Sequence, residues 1–257
     1  RIDGYTGNDT FYIGGNPGNF TMSGASGEEN FNFDYAFNSN ITANGGSDND
    51  TFSINTSPDS SGILTMSGNE NDDNFNFNTN VSSTVVAHGN EGNDTFTFQN
   101  ANITGNVTVD GGNDSDVFKF ETVNSADSLK INNFETLTDY FEFSSSAFSG
   151  SQGHILVFGS SSGSEFFPDM EVTFDEFGNQ VNTLVAFDET NTQINELTTT
   201  NDDYWYYDTF DGSFYYDETA DQNMEDAVKI AKVTNDDNPL TKDDLSSTDI
   251  SYNSDTV

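Results

Sequence analysis

The chain has 257 residues, with six Lys+Arg against 44 Asp+Glu and a net charge of −38. That charge excludes nucleic acid and anionic membrane surfaces as favoured partners, and a compact chain would repel itself unless bound cations neutralised it. Twenty-four Phe and ten Tyr argue against an acidic disordered chain, and the lack of Cys removes disulfides and thiolate metal sites.

Along residues 1–143 one nine-residue unit recurs six times, starting at Gly4, Gly24, Gly45, Gly68, Gly89 and Gly111. Its sixth position is an acid: Asp9, Glu29, Asp50, Asp73, Asp94 and Asp116. Its eighth is always Phe, at 11, 31, 52, 75, 96 and 118, and a second apolar residue follows two places on. The acids are 20, 21, 23, 21 and 22 residues apart, a period that points to a solenoid. The Phe pairs alternate with Asn, Ser and Thr, as a half-buried strand requires. A second alternating strand precedes each turn, with Phe20/Met22, Ile41/Ala43, Leu64/Met66, Val85/Ala87 and Val107/Val109. Each repeat thus reads as strand, acidic turn, strand, variable turn, and stacked repeats place a Phe-rich sheet against a sheet of smaller residues. Ile2 falls in the slot of Met22 and Ala43, so the pattern predicts further repeats upstream of Arg1.

The fourth turn position is Gly7, Gly27, Asp48, Asn71, Gly92 or Asp114, residue types that tolerate a left-handed backbone. Such a turn directs carbonyls inward, and stacking brings the sixth-position carboxylates into one repulsive column. Carboxylates, carbonyls and amides are hard oxygen ligands, so Ca2+ between neighbouring turns is the expected neutraliser. With only His88 and His154, zinc or copper is disfavoured. The alternative is an ordinary Asx turn capping its own backbone. Glu29 is the weakest ligand, because its longer arm must fold back, and Asp48, Asp72 and Asp114 either ligate or are solvated.

These turns resemble the RTX (repeats-in-toxin) nonapeptide G-G-x-G-x-D-x-apolar-x, whose stacked copies form a calcium-filled parallel β-roll. The resemblance implies that the six first glycines contribute backbone carbonyls and the six acids contribute carboxylate oxygen. Several glycine slots are substituted here, and each acidic turn alternates with a plain one. Calcium is therefore expected along one edge, as about five ions between six turns.

Ser128–Phe143 reads as a closing coil: Leu129 and Ile131 fit the incoming strand, Asp139, Phe141 and Phe143 fit the outgoing one, and Phe134 and Leu137 replace the glycines. Residues 144–200 read as an antiparallel β extension with strands near 155–158, 171–174, 181–187 and 193–197. Residues 201–257 read as a C-terminal cap, with a hairpin of Tyr204–Tyr207 and Ser213–Tyr216 around Gly212, and then a strand over 227–233 or a short helix over 224–232. A brief helical turn is expected at Thr241–Asp244. The Trp205 and Tyr cluster is core or, alternatively, a sugar-binding platform. Phe214–Asp217, Val228–Ala231 and Leu240–Thr241 resemble the C-terminal region of type I-secreted RTX proteins, where the uncleaved C-terminus is the export signal.

The predicted fold is therefore all-β: a parallel β-roll with calcium-binding turns along one edge, then an antiparallel β cap. The chain carries no metal-His motif, no G-x-S-x-G elbow, no phosphate loop, no stretch of transmembrane length and no cleavable signal peptide. The expected function is a non-enzymatic, secreted or extracellular calcium-binding module, structural or adhesive, with type I secretion machinery as partner. Self-assembly into a surface layer or filament, or contact with cell-surface polysaccharide, would extend that role. The alternative is the secretion and folding region of an RTX enzyme or toxin whose catalytic domain lies upstream.

Overall fold

A computed structural model describes residues 1–148 except 16, 60, 100–101, 124–125, 127, 136–137 and 145. Beyond them it describes the backbone of 154–162, 165–168, 170–174, 180–184 and 186–188, and residues 203–217, 227–235, 238–240 and 249–253. The expected strand at 193–197, the helical turn at Thr241–Asp244 and Leu137 lie outside them. Every described element is a strand.

Each repeat forms one coil of two strands. The first coil is β1 (Ile2–Thr6) and β2 (Thr10–Ile13), followed by β3 (Phe20–Ser26) and β4 (Asn30–Phe33), then β5 (Asn40–Ser47) and β6 (Thr51–Ile54). Next come β7 (Ile63–Glu70) and β8 (Asn74–Phe77), β9 (Thr84–Glu91) and β10 (Thr95–Phe98), and β11 (Val107–Asn113) and β12 (Val117–Phe120). The closing coil is β13 (Leu129–Asn132) and β14 (Tyr140–Ser144). Odd strands pair in parallel to make one sheet and even strands the other. The register joins equivalent positions throughout, for example Leu64 with Val85 and Phe75 with Phe96.

That register follows from the side chains. A slip of one residue would turn every Phe to solvent. Instead Phe31, Phe52, Phe75, Phe96 and Phe118 are fully buried. Their rings stack like plates, with centroids 4.8 Å apart for Phe31–Phe52 and 4.7 Å for Phe75–Phe96. This is the strand spacing itself, so backbone pairing and offset ring stacking reinforce each other. Across the thin core stand Met22, Ala43, Met66, Ala87 and Val109, all buried. Large residues on one sheet meet small ones on the other, which fills a narrow space densely.

The C-terminal part begins with β15 (His154–Ser162), β16 (Glu165–Pro168), β17 (Met170–Phe174), β18 (Gln180–Leu184) and β19 (Ala186–Asp188). It continues with β20 (Asp203–Asp208), β21 (Ser213–Asp217), β22 (Val228–Asn235), β23 (Asn238–Pro239) and β24 (Ile250–Asn253). Pairs β15–β16, β17–β18, β20–β21 and β21–β22 are antiparallel; β16 is not among the expected strands, and β15 runs through Ser160–Ser162, where the sequence reads as a turn. Residues 228–235 form a strand and not the alternative helix.

Three pairings are parallel and were not legible in the sequence. β15 pairs with β20, β22 with β13 (Ile131 opposite Val233), and β24 with β14 (Phe141 opposite Ile250). The chain leaves the roll after β14 and returns twice: β24 adds one strand to the second sheet, and β22 joins the first, which continues through β21, β20, β15 and β16. Trp205 stacks 4.1 Å from Phe143, and Trp205, Tyr206, Tyr207 and Phe214 are wholly buried. Trp205, Tyr207, Phe214 and Tyr216 are therefore core residues that close the end of the roll, not a sugar-binding platform.

Candidate metal-binding edge

The six acidic turns share one conformation. The fourth position has positive φ in every copy, from 74° at Asp48 to 124° at Gly27. A second left-handed position, missed in the sequence, lies two residues earlier: Tyr5, Ala25, Gly46, Asn69, Asn90 and Gly112. Gly or Asn fills four of these six slots, which was the available signal. Tyr5 and Ala25 adopt a conformation costing roughly 1–2 kcal/mol for a side chain of that kind, so the turn geometry overrides local preference there.

Two left-handed residues curl the loop so that the sixth-position side chain points into the roll. Glu29, Asp50, Asp73, Asp94 and Asp116 are at most 1% exposed, and Asp9 in the terminal coil is half-buried. One oxygen of Asp50, Asp73, Asp94 and Asp116 joins a ladder. Asp50 Oδ1 accepts the Glu29 N–H at 2.8 Å, Asp73 Oδ1 that of Asp50 at 2.7 Å, Asp94 Oδ1 that of Asp73 at 2.8 Å, and Asp116 Oδ1 that of Asp94 at 2.8 Å.

The other oxygen has no hydrogen-bond partner. Oδ2 of Asp9, Asp50, Asp73, Asp94 and Asp116 is buried and unsatisfied, as are both carboxylate oxygens of Glu29. A carboxylate oxygen in that state is costly. Each orphan oxygen rests against the first glycine of its own turn: a Cβ at Gly4 would lie 2.5 Å from Asp9 Oδ2 and 3.0 Å from the Gly24 carbonyl oxygen. A Cβ at Gly24 would collide with Glu29 Oε2 and the Gly45 carbonyl, and one at Gly89 with Asp94 Oδ2 and the Gly111 carbonyl. At Gly45, Gly68 and Gly111 the Cβ would strike the acids Asp50, Asp73 and Asp116. The glycine is thus required to make room for its turn's acid oxygen, and at Gly4, Gly24 and Gly89 the next coil's carbonyl shares that space.

Burial is the first cause of the pKa shifts here. It pushes Glu29, Asp50, Asp73 and Asp116 up to about 7 and Asp94 up to about 9. Backbone N–H bonds oppose the shift, while neighbouring carboxylates of the column add to it, Asp73 and Asp116 in the case of Asp94. The column is therefore poorly compensated without a cation.

The closing coil provides an internal contrast. Asp139 is buried, and its Oδ1 accepts the Asp116 N–H at 3.0 Å. Its Oδ2, in place of an orphan, accepts the Glu135 N–H at 2.8 Å. Phe134, fully buried in the former glycine slot, packs on Phe141 at 4.8 Å. Both oxygens of this acid are thus satisfied, one by the preceding coil and one by its own turn, and the coil is packed, as terminal coils of solenoids must be.

Asp48 and Asp114 sit apart from the column. Both are exposed left-handed residues, and Asp48 Oδ2 accepts the Gly27 N–H at 3.2 Å. Their place is the outer surface of the turn, so the solvated alternative describes them and they drop out of the inner donor set. Asp72 likewise stitches coils, with Oδ1 accepting the Asn93 N–H at 2.8 Å. Glu29 holds the column position despite its extra methylene.

The inner donors are hard oxygens only: an unpaired carboxylate oxygen in every turn (both at Glu29), with the Gly24, Gly45 and Gly111 carbonyls beside them, whereas the Gly68 and Gly89 carbonyls accept from Asn69 and Asn90. Among the described residues no three His, Cys, Asp or Glu side chains converge as a ready-made metal cluster. Any cation in this edge is held by a single carboxylate from each coil plus backbone carbonyls. That is a calcium-like donor set, and it offers zinc or copper no preferred ligands. Comparison with protein-family models, with curated proteins and with solved structures finds no match for this chain.

Proposed function

We propose that the chain is a secreted calcium-binding module of the RTX kind, which folds when Ca2+ enters its acidic edge outside the cell and serves there as a structural or adhesive surface region. The observation that carries this reading is the column of buried acid oxygens without donors, each set against the first glycine of its turn, with the next coil's carbonyl beside it at Gly4, Gly24 and Gly89. A divalent cation supplies the positive charge that this column and the net charge of −38 otherwise lack. Extracellular calcium modules bind at roughly 10⁻⁴–10⁻³ M, so such an edge stays empty at cytoplasmic calcium and fills outside. Metal binding then becomes folding free energy. A metal-free chain of this charge stays expanded and can be threaded through a type I secretion conduit, as the C-terminal resemblance implies.

Circular dichroism during a calcium titration, followed by chelation with EGTA, tests the proposal. Strand signal should grow with calcium and collapse on chelation, with native mass spectrometry reading about five bound ions. Full strand content after complete chelation would overturn it.

A further inference from the structure

The acidic column is regular from Asp50 to Asp116 and irregular at Glu29. Asp50, Asp73, Asp94 and Asp116 each give Oδ1 to the backbone N–H of the preceding coil and keep Oδ2 free. Glu29 is the one glutamate among the six column acids. It is 1% exposed, and neither of its oxygens has a hydrogen-bond partner.

The glycines show where those oxygens point. A Cβ at Gly24 would collide with Glu29 Oε2, and it would lie 2.7 Å from Glu29 Cδ and 2.5 Å from the Gly45 carbonyl oxygen. A Cβ at Gly45 would strike Asp50 Oδ2. The Glu29 carboxylate and the Gly45 carbonyl thus meet over Gly24, and the free Asp50 oxygen lies over Gly45, one coil on. Two coils further the carbonyls are engaged: Asn69 Nδ2 donates to the Gly68 carbonyl at 2.7 Å, and Asn90 Nδ2 to the Gly89 carbonyl at 2.7 Å. A carbonyl that already accepts an N–H has one lone pair fewer to offer a cation. The same slots beside Gly24 and Gly45 hold Ala25 and Gly46, which carry no side-chain donor.

We propose that Glu29 holds its ion with both carboxylate oxygens, and so makes the tightest and most calcium-selective site of the edge, between the second and third coils. This inference rests on the calcium reading above and adds that the edge is not uniform. Calcium accepts a bidentate glutamate because its roughly six to eight oxygen ligands sit in flexible geometry. Magnesium demands a near-ideal octahedron, which a chelating carboxylate distorts. The extra methylene of Glu29, a handicap by the repeat pattern, here frees the second oxygen from the ladder. An aspartate in its place would fall back to the ladder position and offer the ion one oxygen.

Hydrogen exchange of the full wild-type chain at one equivalent of calcium is the direct test. Amides of residues 20–54, among them the Glu29 N–H bonded to Asp50 and the Thr51 N–H bonded to Glu29, should gain protection before those of residues 63–98. Calorimetric titration with calcium in excess magnesium should then show one ion bound about tenfold more tightly than the rest, the scale on which ligand count tunes such sites. Glu29→Asp should lower that first affinity about tenfold and narrow its preference over magnesium. Asp73→Asn should remove a later ion and leave the first in place. Protection that appears first in residues 63–98, or in all coils at once, overturns the inference, as does a first ion that Glu29→Asp leaves unchanged. With any of these results the chain still takes up its full set of ions and the calcium reading stands, whereas a wild-type chain that binds no calcium removes both.

Discussion

Asp94 Oδ1 takes the Asp73 N–H, while its Oδ2 is pressed against Gly89 without a donor. Asp94→Asn keeps the first contact and replaces the second oxygen by an N–H group beside the Gly111 carbonyl. Two opposite effects follow: the metal-free fold should melt higher than wild type, and the calcium-loaded protein should hold about one ion fewer. Differential scanning calorimetry and native mass spectrometry read both, and an unchanged ion count would remove Asp94 from the ligand set. The glycines divide in the same way. Gly89→Ala puts a methyl group into the oxygen pair and should cost about 2–4 kcal/mol of stability together with calcium affinity. Gly7 has open space around it and φ of 101°, so Gly7→Asn, a residue that accepts left-handed backbone, should cost about 1 kcal/mol or less. Urea denaturation at fixed calcium compares the two.

A coil is stabilised by its neighbours, so its energetics come in columns. Phe75 stacks on Phe52 at 4.9 Å and on Phe96 at 4.7 Å, and Phe75→Ala should cost roughly 3–5 kcal/mol, visible as a lower urea midpoint. The acid column behaves collectively with pH. The folded pKa values, about 7 for Glu29, Asp50, Asp73 and Asp116 and about 9 for Asp94, exceed ordinary carboxylate values of about 4. Between those limits the folded chain holds more protons than the unfolded chain, so metal-free stability falls as pH rises from about 4 to about 7, and to about 9 for Asp94. In EGTA the melting temperature should be higher at pH 5 than at pH 8. Saturating calcium should reverse that order, because it binds the ionised carboxylates. At this scale the sequence was most readable. A 2-residue alternation inside a 20–23-residue period determined strand, register and Phe column together. The ladder bonds were not readable, since whether an Asp oxygen meets a neighbour's N–H or a carbonyl depends on the loop's curl, set in part by Tyr5 and Ala25, whose identity gives no hint of positive φ.

The two ends of the described stack differ. The end formed by β1 and β2 leaves Ile2, Tyr5 and Tyr12 exposed, whereas the other end is covered by β22, β24 and the Trp205 cluster. That return of the chain was hidden from sequence reading. Lys232–Val233 and Ile250–Tyr252 lie in short stretches without a turn motif, and nothing local says that their partners lie about 100 residues earlier. Ile250 is 4% exposed opposite Phe141, so Ile250→Asp buries an unpaired carboxylate and should cost at least about 3 kcal/mol, with the coils nearest β14 losing amide protection first in hydrogen exchange. Equal loss of protection across all coils would instead mean that the roll unfolds as one unit.

The continuous in-register stacking of coils also has a mechanical meaning. The first coil lies at one end of the stack and β24 at the other, so tension applied between them runs along the stack axis and loads the coils in series. A coil of 20–23 residues that peels away lengthens the chain by roughly 70 Å at ~3.3 Å per residue. Under tension the protein would extend as a staircase of nearly equal steps. Calcium concentration would set the height of each riser, and a tether built this way would stiffen or yield with the ion content of the fluid around it.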